Sequence, residues 1–491
     1  MRGLRQSVPS RTSNHRAGLG PLAALAMLLL AGCAGFEPLA EPDLATPAHY
    51  VDTAAKPGVL LPLEWPSVFG STELTRLVHD AKIDNLDIAV AGARILQAEA
   101  QAGIAGSGLY PQISGDANAS TSLNPGTLQR PDPPFHSSIS HSYSLGLSAS
   151  YTLDIWGKNA ATLEAARQSA VQAHYQRDVT TLATVAAVVN AYFDVLAAED
   201  RIAIARDNVR TADRVLAAIR GRLSVGTATA LDVAQEESVV ATQRASIPPL
   251  EQEIAQQKAA LAVLLGIPPV ALTLKGGSLA AVKVPRIAPG IPSELLGRRP
   301  DIAAAESGLK SARANVAAAR AAFFPSIDLS ARGGLESMAL KTLFRPDAEF
   351  YQLTAGLTQP IFDGFNLENQ LANQRGLYIE LLQTYKKAII SAFSDVESAL
   401  VAVRKTSEHL RLQMAVVEAS RRAYQISEQR LREGTIDIVT LSQTQSTLFQ
   451  AQDQLVQIRL QRLQAVVSLY QALGGGWTRQ DIAASAPGDG K

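Results

Sequence analysis

Apolar positions recur along this chain at two spacings, one helical and one extended, and the whole order of spacings is used twice. Ile88, Ala91, Ile95, Ala98, Ala102 and Ala105 step by 3, 4, 3, 4 and 3 and lead to Tyr110-Pro111. Ile302, Ala305, Leu309, Ala312, Val316 and Ala319 repeat those steps 214 residues later and lead to Phe324-Pro325. A 3-4 spacing is the seam of a coiled coil, and its many alanines let neighbouring backbones approach closely. A duplicated unit of this length predicts an assembly of long rods.

After each proline the period switches to 2. Ile113, Gly115, Ala117 and Ala119 alternate with Gln112, Ser114, Asp116 and Asn118, and Ile327, Leu329 and Ala331 alternate with Ser326, Asp328 and Ser330. A return strand follows in each half: Tyr143, Leu145, Leu147, Ala149, Tyr151, Leu153 and Ile155 in the first, Tyr351, Leu353, Ala355 and Leu357 in the second. The predicted strands cover about 111–123, 141–155, 325–334 and 350–361. One apolar face and one small, polar face suit a half-buried soluble sheet and equally a membrane barrel with lipid outside and water inside. Four strands cannot close a barrel, since the smallest common ones need about 8. A barrel must therefore be shared, with 8 strands from two chains or 12 from three.

Long helical patterns follow the return strands, at about 159–222 and 365–430. Each of these helices would extend about 95 Å at 1.5 Å per residue. They end in Arg222-Leu223-Ser224-Val225-Gly226-Thr227 and Arg430-Leu431-Arg432-Glu433-Gly434-Thr435. Returning helices then run to Gly266 and Gly474, the first expected to kink or briefly break at Pro248-Pro249. The helix before Tyr110, about 33 residues and 50 Å, and a returning one of about 57 Å together match one long helix. Two shorter helices laid end to end beside a long one make a continuous rod, with the Gly-Thr turns at the end farthest from the strands. About seven extra residues in the first half fall in the polar, proline-rich segment 124–138, an exposed loop.

The front of the chain changes the picture. Arg2, Arg5, Arg11 and Arg16 precede an uncharged stretch over 17–32, which ends in Leu30-Ala31-Gly32-Cys33. This reads as a signal peptide over 1–32, and its end resembles the bacterial lipobox, where cleavage leaves an N-acyl diacylglycerol cysteine. Cys33 is the single cysteine, so no internal disulfide can form, and one acylated cysteine anchors without spanning. Ala34 follows it where an inner-membrane retention aspartate often stands, which favours outer-membrane delivery. The balance of 45 basic and 45 acidic residues argues against an electrostatic nucleic-acid binder. The longest apolar run past the leader, 181–193, is too short for a helical membrane span and lies between Asp178 and Asp194.

At this point the chain resembles the TolC-like outer-membrane efflux proteins, in their lipidated NodT-type branch, over nearly all of the mature sequence. The markers are Trp65 with Phe69, Leu109-Tyr110-Pro111-Gln112, Leu153-Asp154-Ile155-Trp156-Gly157 and Leu296-Gly297-Arg298-Arg299-Pro300-Asp301-Ile302. Phe323-Phe324-Pro325-Ser326, Ala392-Phe393-Ser394-Asp395-Val396-Glu397 and both Gly-Thr turns complete the ordered set. The resemblance implies a mainly α homotrimer with a 12-stranded barrel, four strands per chain, above a long coiled-coil tunnel. Such a channel docks on a periplasmic adaptor and an inner-membrane pump, most often of the RND type. The expected organisation is a lipid-anchored extended segment over 33–75, repeats over 76–290 and 291–477, and a flexible tail over 478–491.

Gly226 and Gly434 are expected to cap helices in the left-handed conformation. The resemblance adds adaptor contact by Arg222, Leu223, Gly226, Thr227, Arg430, Leu431, Gly434 and Thr435. In some members carboxylates constrict the tunnel mouth six and nine residues after the second turn glycine, where this chain has Thr440 and Gln443. Asp437 and Asp232 are the nearby acidic alternatives, and both equally suit first-turn charges favoured by the helix dipole. No zincin, phosphate-loop or nucleophile-elbow motif is present. His136 and His141 lack an acidic or cysteine partner, so neither metal nor catalysis is expected. The reading is a passive efflux conduit, with a protein-secretion conduit or a poreless coiled-coil scaffold as the alternatives.

Overall fold

The computed structural model describes residues 39, 50, 64–125, 137–285, 287 and 292–479, and contacts divide the chain into units 1–44 and 45–491. Leu30, Ala31, Gly32 and Cys33 lie outside the described residues, as do most of the 124–138 loop and the end of the tail. All elements below belong to the second unit. A 3₁₀ turn, Trp65–Phe69, leads into α1 (Thr72–Asp84) and α2 (Leu86–Ser107), then β1 (Gln112–Asn124) and β2 (Ser138–Leu153). The long α3 (Lys158–Ser224) is followed by α4 (Ala230–Ala245) and α5 (Ile247–Leu264). The second half is α6 (Pro292–Arg298), α7 (Pro300–Ala321), β3 (Ser326–Ser337), β4 (Glu349–Thr358), α8 (Asn366–Arg432) and α9 (Ile438–Ala472).

The strands form one antiparallel sheet in the order β1-β2-β3-β4, so β1 and β4 each carry an unpaired edge. Register sorts the exposed aliphatic side chains onto one face. Ile113, Ala149, Ala331 and Leu353 form one cross-strand row, and Gln112, Ser150, Ser330 and Thr354 the next. Every strongly exposed apolar strand residue, Ile113, Leu123, Ile139, Leu147, Leu353 and Leu357 among them, is on the odd-numbered face. Such a face costs free energy in water, about 25 cal/mol per Å² of apolar surface, and is stable against lipid.

The six seam residues of α2 and the six of α7 are all buried or half-buried. Helices α3 and α8 are each 67 residues, about 100 Å long. Helix α7 packs against both α3 and α8, whereas α2 packs chiefly against α3. The apolar run 181–193 of α3 lies inside the largest core cluster, with Trp65, Phe69, Leu74, Leu261, Val467 and Tyr470. Core burial therefore explains its hydropathy. Trp65 stacks on Tyr470 with ring centroids 4.8 Å apart.

The stacked shorter helices meet at a joint built twice. The α1–α2 rod breaks at Asn85, where one continuous helix of about 33 residues was expected. The Asn85 side chain accepts from the amides of Asp87 and Ile88 and donates to the Leu264 carbonyl at 2.8 Å. In the second half Arg299 holds the equivalent place, donating to the Ala472 carbonyl at 3.1 Å, to Asp395 at 3.1 Å and to both oxygens of Asp301. Each joint thus satisfies a carbonyl left without a partner at a helix end. Two helix-end glycines close it: Gly266 (φ 66°) abuts the Asp84 carbonyl and Gly474 (φ 86°) the Arg298 carbonyl.

Three local expectations shift. The break in the return helix falls at Ser246, just before Pro248-Pro249, because proline is tolerated in the first turn of α5. The segment expected to be extended up to 75 already contains the Trp65–Phe69 turn and the start of α1, held down by the burial of both aromatics. At the tail, Trp477 donates to Asp178 at 2.9 Å and Arg479 pairs with Glu306, so ordered packing extends past 477.

Candidate functional site: the helical turns far from the sheet

Both Gly-Thr turns are Schellman closures. The amides of Gly226 and Thr227 donate to the carbonyls of Leu223 and Arg222, and those of Gly434 and Thr435 to Leu431 and Arg430. The glycines have φ of 76° and 73°, the left-handed conformation expected of such caps. Thr227 and Thr435 add hydroxyl bonds to the same carbonyls, those of Arg222 and Arg430, at 3.1 Å each.

The halves then diverge. Arg222 reaches across to the second turn and donates to the Leu431 carbonyl at 2.9 Å, while also contacting the Thr227 carbonyl. Arg430, its sequence counterpart, is exposed. One guanidinium therefore ties the two turns together. Leu223 is partly exposed and Val225 largely so, leaving an apolar tip on the first turn. Behind it lies a small core of Val215, Ile219, Tyr424, Ile438, Leu441, Leu448 and Phe449.

Both acidic gate candidates act as helix caps. Asp232 accepts from the Thr229 amide at 2.7 Å in a reciprocal capping box. Asp437 accepts from the Thr440 amide at 2.9 Å and the Thr440 hydroxyl at 2.6 Å, which holds its carboxyl below the usual range. Thr440 is thereby occupied, and Gln443 is exposed one turn further on.

Sequence reasoning missed Glu236, which is wholly buried between α4 and α9. Ser442 donates to its Oε2 at 3.2 Å, while its Oε1 and both amide atoms of the equally buried Gln445 have no hydrogen-bond partner among the described residues. Burial pushes the Glu236 carboxyl up to about 7 from an ordinary 4.5. The folded state thus holds this proton more tightly than the unfolded chain. The associated stability is complete below about pH 4.5 and is lost as pH rises through 7, a loss of about 3 kcal/mol. Glu236→Gln should flatten the fall in stability between pH 5 and 8, measured by amide exchange in α4 and the start of α9. An unaltered pH slope would show that the carboxylate is solvated.

The chain is similar to known proteins over almost its whole length. The family model described as outer membrane efflux protein matches residues 77–267 and 291–475. The pyoverdine export outer membrane protein OpmQ of Pseudomonas aeruginosa is 38% identical over 93% of this chain and 97% of its own. The toluene efflux pump outer membrane protein TtgC of Pseudomonas putida is 31% identical, over 93% and 95% respectively. Among solved structures, the outer-membrane channel OprN superposes with a TM-score of 0.84 at 27% identity, covering 90% of this chain and 99% of OprN.

Proposed function

The chain belongs to the outer membrane efflux protein family, and on that premise we propose how it works as the outer-membrane channel of a three-part efflux system. Three copies close a 12-stranded barrel and a six-fold pseudo-symmetric tunnel. Small solutes pass from a periplasmic adaptor and an inner-membrane pump, of RND type, to the cell exterior. The observation that carries this reading is the four-stranded sheet, with its exposed apolar face and two unpaired edges, set on two 67-residue helices. An exposed sheet edge seeks a partner strand, and β4 against β1 of the next copy supplies one. The helices ask for the same neighbour. Within the chain α7 fills the gap between α3 and α8, whereas the outer side of α2 leaves Leu86, Val90, Leu96 and Ile104 exposed and α8 leaves Ile379, Ile390, Leu412 and Met414.

Transport is passive, driven by the pump, and the chain makes or breaks no covalent bond. Cys33 carries the N-acyl diacylglycerol anchor in the outer membrane. The exposed edges of the two Gly-Thr turns meet the adaptor, which loosens the Arg222 tie as it binds. Protein purified from outer membranes should have the mass of a trimer with one lipid on each Cys33, and should give discrete conductance steps in planar bilayers. A trimer without conductance would return the reading to a poreless scaffold.

A further inference from the structure

Where the sheet meets the long helices, a cleft of about 1000 Å³ opens between the end of α7 and the start of α8. Ala318, Ala319 and Ala322 leave the space by their small size, and Trp156, stacked on Phe324 at 4.7 Å, supplies a flat aromatic wall. The facing surface is made of amides. Asn366, Asn369, Gln370, Asn373 and Gln374 follow one another at steps of 3, 1, 3 and 1 on one face of α8, with Asn315 opposite on α7. Asn315, Asn373 and Gln374 make no side-chain hydrogen bond within the described residues, while Asn369 and Gln370 use only their NH₂ groups, toward Phe365 and Asn366.

The internal repeat acts as a control for a merely structural role. The corresponding positions at the start of α3 are Asn159, Thr162, Leu163, Ala166 and Arg167. Starting a 67-residue helix beneath a strand therefore does not require the stripe. Asp154 and Lys158 are the charged lining residues. Asp154 is committed to the amides of Asn159 and Ala160, so the cleft is close to neutral.

We propose that this cleft is a resting site for uncharged, peptide-like solutes passing from tunnel to barrel. Free amide side chains offer donors and acceptors in the same alternation as a peptide backbone, and the Trp156–Phe324 wall accepts an apolar or aromatic side chain. The proposal rests on the channel reading, which makes the polar sheet face carrying Thr152, Ser326 and Thr358 the lumen side. All three residues line the cleft. One cleft per chain places three sites around the lumen.

Single-channel recording of the reconstituted trimer tests this, with an acetylated, amidated hexapeptide of glycine, serine and one phenylalanine as probe. A polyethylene glycol of equal size, which lacks internal donors, is the control. The peptide should block the current for longer than the control. The block should shorten about 10-fold in the Asn369→Ala/Asn373→Ala/Gln374→Ala variant, as expected for losing two or three weak hydrogen bonds. Alanine keeps the helix propensity high. The Asn373→Asp/Gln374→Glu variant keeps the shape but removes donors, and should shorten the block as well. Equal block times in parent and variants, or equal block by peptide and control, would overturn the site while leaving the channel intact. A parent trimer that passes no current would overturn the channel reading itself.

Discussion

Arg222→Ala should raise the open probability of the reconstituted trimer about 5- to 30-fold. The guanidinium makes a charge-assisted bond to the Leu431 carbonyl, and this bond ties the first turn to the second. Losing a bond of this kind in a partly exposed setting removes about 1–2 kcal/mol, which corresponds to that factor in a two-state equilibrium. This factor is for one tie, and each trimer contains three. Arg430→Ala is the control. Its side chain sits on the equivalent turn but is exposed, and conductance should stay at the parent level. Equal effects from both substitutions would mean that general loss of charge at the tip, and not the Arg222 tie, sets the gate.

Gly474→Ala should abolish most of the folded trimer. Residue 474 holds φ at 86°, which costs a residue with a Cβ about 1–2 kcal/mol. The added methyl would also overlap the Arg298 carbonyl oxygen, and that backbone is fixed by Arg299 and its bonds to Asp395 and Ala472. Neither side can yield without opening the joint, so a total cost of about 4 kcal/mol or more follows. Gly266→Ala meets the Asp84 carbonyl in the same way and should behave alike. Gly226→Ala, with a similar φ and open space around it, should cost only the conformational term. Trimer recovered from outer membranes and its thermal unfolding separate the two kinds of glycine. A Gly474→Ala trimer as stable as the Gly226→Ala one would refute the joint.

Much of this architecture was legible in the residues, for a physical reason. Seams and strand faces are periodic, and a period can be read locally: the 3-4 steps of Ile302 to Ala319 and the alternation after Pro111 need no knowledge of a partner. The helix ends were readable too, since Gly226, Gly434 and Asp437 act within one turn of themselves. The joints were not. Asn85 meets Leu264 across 179 residues and Arg299 meets Ala472 across 173, and nothing in either neighbourhood announces the other. The capping half of the Asn85 joint is local, since asparagine is a favoured N-cap residue, whereas its bond to the Leu264 carbonyl is not. Glu236 stands in Ala-Gln-Glu-Glu, which reads as solvated helix surface. Only the approach of α9 makes it a buried carboxyl.

By itself, then, the sequence determined the duplication, the alternation of rods and strands, the capped turns and the need for more than one chain, since all of these follow from local periodicity and from counting strands. Tertiary structure alone decided which polar groups are spent and which remain free. Arg222 bridges the turns while Arg430 does not. Glu236 is enclosed without a full set of partners, and the α8 amides face an open cleft. A pairing between distant segments depends on what folding brings within about 3 Å, and no spacing along the chain encodes that distance.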